Sequence, residues 1–149
     1  MDILTIFHLL TLIVSAFLCR MPFLNFPMDD DFAIYTYRAR FAKKGFLWKD
    51  DLQIIGIPMW KMILFDKVFS SSDKGHLRVR HLQTLFHAAA CLSIYWVILV
   101  ATQNQWAAFT GGLFYSFYGT SPDLTAGSFN FEQFYIPFII TGLALTESG

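Results

Sequence analysis

"LQTLFHAAACLSIYWVILVATQNQWAAFTGGLFYSFYGT", Leu82 to Thr120, decides the fold. Leu82–Ala101 runs for twenty residues without Asp, Glu, Lys or Arg, and Gln83 and His87, both near its start, are its polar members. At 1.5 Å per residue such a helix reaches roughly 30 Å, the thickness of a bilayer core. "TQNQ" then interrupts the apolar pattern, and Trp106 to Thr120 resumes it. A short polar connection between two apolar helices makes a hairpin. Trp96 and Trp106 flank the turn, as interfacial aromatics do. Gly111 and Gly112 leave room for close helix contact.

Working outward, Ile3–Cys19 is a second run without charge, seventeen residues long. It reaches about 25 Å, just short of the core thickness. A cleavable signal peptide is the competing reading. The segment lacks what that reading needs: Asp2 stands where a basic residue would, and no A-x-A site precedes Arg20. Phe131–Leu145 begins a further apolar run, with Glu132 at its start. The expected fold is an all-α membrane protein with about four transmembrane helices, at 1–19, 82–101, 106–120 and 131–145. A long first loop, 20–81, separates the first two.

Composition agrees with that class. The chain has 149 residues, 55% hydrophobic and 15% charged, where soluble proteins carry about 25% charge. Seventeen Phe residues are hard to hide in a soluble domain of this size. The net charge of zero provides no electrostatic footprint for nucleic acid, so none is expected as a partner. Cys19 and Cys91 lie in apolar runs without CxxC spacing and read as small buried hydrophobes. His8, His76, His81 and His87 lack the spacing of a zinc helix, so no metal site is expected from them.

The long loop holds all eleven Lys and Arg residues and seven of the eleven acids. Two amphipathic helices are predicted in it. One, Asp31–Lys44, places Phe32, Tyr35, Ala39 and Ala42 together, and Gly45 stops it. The other, Pro58–Phe69, carries Trp60, Ile63, Leu64 and Val68. Both suit the membrane interface.

The acid trio Asp29, Asp30 and Asp31 follows the first span closely. Counting crossings explains where it sits. If the hairpin goes across and returns, the trio, Asp123 and Glu132 all face one compartment, whatever the absolute orientation. Carboxylates at that surface avoid the roughly 2.5–3.5 kcal/mol or more charged at the bilayer centre. The positive-inside rule taken alone would make the loop cytoplasmic, although a loop of about sixty residues is near the limit of that rule.

The order of features resembles the amino-terminal part of GT-C-type glycosyltransferases, closest to the protein O-mannosyltransferase and aminoarabinose transferase group. The residues that carry the resemblance are Asp31, Tyr35, Ala39 and Gly45 in their spacing after span one. "IGIPMWKMILFDKVF" is similar to the second juxtamembrane helix, "HLRVRHLQTLFHAAACLSIYWVI" to the second span, and "GSFNFEQFYIPFIITGLAL" to the acid-led fourth span. Phe32 stands where many members have an acid, and "GIPM" replaces the aminoarabinose branch's acid-base pair and double proline. That branch's substrate is therefore not carried over. Family members have more spans, so this chain is expected to be the amino-terminal part of a longer protein, or a truncated relative without the later donor-site elements.

The resemblance implies transfer of a sugar from a polyprenyl-phosphate donor to a glycan, lipid or protein acceptor. The reaction would occur at the outer face of a plasma or inner membrane. An acceptor hydroxyl must lose its proton as it attacks the anomeric carbon, and a carboxylate can take it. Asp31 holds the motif position, Asp30 is second, and Glu132 would assist. Lys61, Arg78 and Arg80 are candidates for the donor phosphate. No cofactor is implied, although some related enzymes use a divalent metal. Each residue also has an ordinary reading. The Asp trio would cap the following helix, Lys61 would snorkel, and Arg78 and Arg80 would anchor to headgroups. Glu132 and "FYSFYG" would be interfacial or packing residues. The alternative function is thus a non-catalytic membrane scaffold or subunit.

Overall fold

The structure is a computed structural model and describes residues 2–24, 75–120 and 132–147. Among the described residues there are four α-helices and no strand: α1 (Ile3–Arg20), α2 (Gly75–Thr102), α3 (Gln105–Tyr118) and α4 (Glu132–Glu147). A 3₁₀ turn, Met21–Phe23, follows α1 and accommodates Pro22, whose ring nitrogen has no hydrogen to donate. The amphipathic helices predicted at 31–44 and 58–69 lie outside the described residues, as does the segment carrying Asp123.

Caps explain where the helices begin. Asp2 Oδ1 accepts the backbone N–H of Thr5 at 2.8 Å and opens α1. The α2–α3 hairpin turns on two residues. Gln103 takes a left-handed conformation, φ 53°, and its N–H donates to Leu99 O at 2.8 Å. Asn104 Oδ1 then accepts from Trp106 N and Ala107 N at 3.0 and 3.1 Å, satisfying two first-turn donors of α3.

α2 is the central helix and packs against α1, α3 and α4. Its 28 residues begin well before the apolar run. Charge limits the hydrophobic stretch, not the helix, because Arg and Leu are both good helix formers. Contacts fix the directions. α1 and α3 run parallel: Asp2 meets Gln105 and Ser15 meets Ser116. α2 runs against both, since His87 meets Ser116 while Tyr95 lies beside His8. α4 runs with α2, since Phe86 meets Phe138 and Ser93 meets Thr141. One end of the bundle therefore gathers Arg20, Arg80, Thr120 and the backbone of Glu132. The other gathers Asp2 and the Gln103–Asn104 turn.

Among the described residues two helical stretches are long and apolar enough to cross a membrane, Ile3–Phe23 (21 residues) and Arg80–Thr102 (23 residues). α3, at 14 residues, and α4, at 16, are shorter. The bundle is built inside out relative to a soluble protein. Much of its interior is small or polar, with Ala16, Ala88, Ala90, Cys91, Ala108, Ser93 and Ser116 buried, while Leu12 and Tyr95 are the large residues of the core. Its outside carries large hydrocarbons, including Phe7, Leu10 and Leu18 on α1, Phe114 and Phe117 on α3, and Phe138, Ile139 and Leu143 on α4. Soluble proteins bury such side chains, whereas helix contacts within lipid favour small ones. Gly112 lies where α1, α2 and α3 meet. A Cβ there would lie 3.0 Å from Leu12 Cδ1 and 3.1 Å from the Cys91 carbonyl oxygen.

Candidate functional site: a polar rim at one end of the bundle

At the end where α1 finishes and α2 begins, Arg20, Phe23, Leu24, Arg80, Gln83 and Thr84 line a crevice. It encloses about 170 Å³ of empty space, its open mouth included, and is too narrow for a water-sized sphere. Arg20 is the last residue of α1, where a cation complements the helix dipole. Arg80 sits in the second turn of α2. Both are 4% exposed. Neither stands without further interactions, but the two like charges face a shared cleft.

Gln83 lines the same crevice and is 0% exposed. Neither its Nε2 nor its Oε1 has a hydrogen-bond partner among the described residues. A buried polar group left this way costs about 1–3 kcal/mol. Thr84 Oγ1, by contrast, is satisfied by donating to Arg80 O at 2.8 Å.

A polar seam continues from the rim into the bundle. His87 Nε2–H donates to Ser116 O at 3.2 Å, and its ring stacks on Tyr115 at 5.3 Å. Ser116 Oγ donates to Ser15 Oγ at 3.0 Å and contacts Cys19 Sγ at 3.8 Å. Thr120 Oγ1 closes the last turn of α3 on Phe117 O at 2.7 Å. A separate polar spot lies toward the opposite end. His8, 0% exposed, stacks on Phe109 at 4.4 Å and meets Trp106 edge-on at 4.9 Å. Neither of its ring nitrogens, nor the nearby Tyr95 hydroxyl, has a hydrogen-bond partner among the described residues. Among the described residues no group of three His, Cys, Asp or Glu is arranged to hold a metal ion.

The candidates named from sequence divide as follows. Arg80 lines the crevice and Arg78 is exposed. Glu132 is the first residue of α4, at the same end. Asp29, Asp30, Asp31 and Lys61 lie outside the described residues. Sequence reasoning missed Arg20, which it read only as the start of the loop, and gave Gln83 no role. A signal for Gln83 was present: Arg80, Gln83, Thr84 and His87 follow i, i+3, i+4, i+7 spacing and share one face of α2.

Comparison with protein-family models, with curated proteins and with solved structures finds no match. Fold and rim together define a class: among the described residues, a helical bundle with an apolar exterior, two helices able to span a membrane, and a narrow crevice lined by Arg20, Arg80 and Gln83 at one end.

Proposed function

We propose that the chain is embedded in a membrane with all four helices crossing it, and forms the amino-terminal part of a glycosyltransferase. In this reading it transfers a sugar from a polyprenyl-phosphate donor to an acceptor hydroxyl. The observation that supports the reading is the gathering of helix ends. Arg20, Arg80 and the start of α4 at Glu132 share the end from which the chain leaves toward Asp29–Asp31. The apolar exterior supports the membrane setting. α3, the shortest of the four described helices, would place its ends within the headgroup region, where local thinning of the bilayer accommodates a short span at modest cost.

The chemistry follows from the needs of the reaction. The acceptor oxygen bonds to the anomeric carbon while its proton passes to the Asp31 carboxylate. The bond from that carbon to the phosphate oxygen breaks, and its electron pair leaves with the polyprenyl phosphate. Arginine at the rim stabilises that developing charge. Asp30 is the second candidate base, and Glu132 orients the acceptor. The site is read as lying at the outer face of a plasma or inner membrane. Asp31→Asn in the full-length protein tests the reading through transfer of labelled sugar from polyprenyl-phosphate sugar in membranes. Expected is a loss of about a hundredfold or more; unchanged transfer at equal protein level removes Asp31 from the mechanism.

A second reading has its own observation. The crevice is too narrow for a sugar as it stands, which suits a non-catalytic scaffold or subunit. Membranes containing the full-length protein that never transfer sugar, with or without Asp31, would favour it.

A further inference from the structure

Three polar atoms of the bundle interior lie near one another with no hydrogen-bond partner among the described residues: Nδ1 and Nε2 of His8 and the Tyr95 hydroxyl. Both residues are buried, and their rings meet nearly edge-on at 6.2 Å. Phenylalanine at both positions would keep the rings and remove the orphaned atoms. Polar groups kept at such a cost inside an apolar bundle call for a use beyond packing. A neutral imidazole presents one donor and one acceptor, and the tyrosine hydroxyl donates as well. The pair thus offers two donors that no described residue answers.

The surroundings select what would answer them. Phe7, Tyr95, Trp106 and Phe109 surround His8, and none of the four carries a formal charge. An anion or a metal ion finds no counter-charge among them. Phe109 lies flat against the imidazole, 4.4 Å away at 14°, so the walls suit a planar ring. Access is from the apolar side. Phe7 and Trp106 adjoin the His8 ring at 6.3 and 4.9 Å, and both are 59% exposed on the outside of the bundle. His8 stands about 9 Å along α1 from its cap, Asp2. In the membrane setting proposed above, that depth is reached from the lipid.

We propose that His8 and Tyr95 form a binding site for a lipid-soluble quinone, whose ring carbonyl accepts from the His8 N–H and the Tyr95 O–H. A carbonyl oxygen has two lone pairs and can take both bonds. Trp106 acts as the door. Its indole turns outward, and the quinone ring takes its place beside His8 and Phe109. Exposed side chains change rotamer within nanoseconds, so this door does not slow entry. The inference rests on the membrane setting and not on sugar transfer.

The test uses the 149-residue chain purified in detergent. Melting temperature is followed on titration with decylubiquinone and with decylbenzene, which keeps a ring and tail but has no carbonyl. Expected is a rise with decylubiquinone alone. His8→Phe and Tyr95→Phe should each melt no lower than the wild type without ligand, yet bind decylubiquinone about tenfold more weakly. A nitrogen-15 spectrum of the histidine rings provides a second reading that needs no stable variant. Saturating decylubiquinone should move the His8 ring signals and leave those of His87 in place. An equal response to decylbenzene, no response to either probe, affinity indifferent to both substitutions, or unmoved His8 signals would each overturn the proposal. Sugar transfer is measured separately in the full-length protein. Its absence leaves this site standing, and failure of quinone binding leaves the glycosyltransferase reading untouched.

Discussion

Ser116 of α3 donates a hydrogen bond to Ser15 of α1, Oγ to Oγ, at 3.0 Å. The pair lies one turn from Gly112, where Leu12 of α1 and the Cys91 carbonyl of α2 both come close to α3. Small side chains bring the backbones together, and a hydroxyl pair then ties them. This is how helices associate where hydrocarbon contacts give no preference over lipid. The same close approach sets α1 beside α2 and so brings Arg20 to Arg80.

Gly112 and Gly142 should respond in opposite ways to added bulk. Gly112→Leu must push apart Leu12 and the Cys91 carbonyl, and overpacking of that kind costs about 1–3 kcal/mol. Around Gly142 nothing lies within 4 Å. Gly142→Ala should therefore stabilise α4 by about 0.5–1 kcal/mol through helix propensity. Reversible unfolding in mixed detergent micelles measures both. Equal tolerance of the two changes would mean that α1, α2 and α3 do not pack as described.

His8→Phe should raise the melting temperature. The change keeps the ring stacked against Phe109 and removes two buried nitrogens that lack partners among the described residues. Relief of such groups is worth about 1–3 kcal/mol, less whatever the slightly larger ring costs. A fall of several degrees would show that His8 has an essential polar partner.

Asp2 supplies a pH signature at the opposite end from the rim. Hydrogen bonds from Thr5, and then from Gln105 Nε2, favour its charged form and lower its pKa from 3.8 to about 2. A carboxylate held down in this way contributes to stability above its unfolded pKa, near 3.9. The contribution fades as pH falls through about 2. A carbon-13 titration of the Asp2 carboxyl should give a midpoint near 2. A midpoint near 4 would show that the α1 cap and its tie to α3 are not formed.

The two arginines before span two should separate. Arg78 is exposed and Arg80 is buried in the crevice. Arg78→Gln should change polyprenyl-phosphate affinity by no more than about twofold, as surface substitutions do. Arg80→Gln should cost about tenfold or more. Titration of melting temperature in detergent reads both, and equal effects would place the phosphate away from the crevice.

The hairpin was legible because "TQNQ" breaks an apolar run at a length that fits a bilayer, and Asn104 is a natural cap. Glu132 was legible as the first residue of its helix for the same reason, an acid before an apolar run. The start of α2 was not: charge marked Leu82 as the boundary, but the helix continues back to Gly75. Of the site, Arg80 was visible as a cation near the membrane. Arg20 was not, because only packing of α1 on α2 gives it a neighbour far away in the chain. Gln83 was hidden by a rule that treats one amide in an apolar span as tolerable. Its meaning rests on burial and on missing partners, which are properties of the packed bundle.

The shared rim is tested most directly by cysteine labelling from either side of a sealed membrane. Single cysteines at Ser71, Thr102 and Thr125 are placed in a background with Cys19→Ser and Cys91→Ala. A membrane-impermeant maleimide should reach Ser71→Cys and Thr125→Cys from one side and Thr102→Cys only from the other. Labelling of Thr125→Cys together with Thr102→Cys, and apart from Ser71→Cys, would break the rim. Equal labelling of all three from one side would show that the hairpin does not cross the membrane.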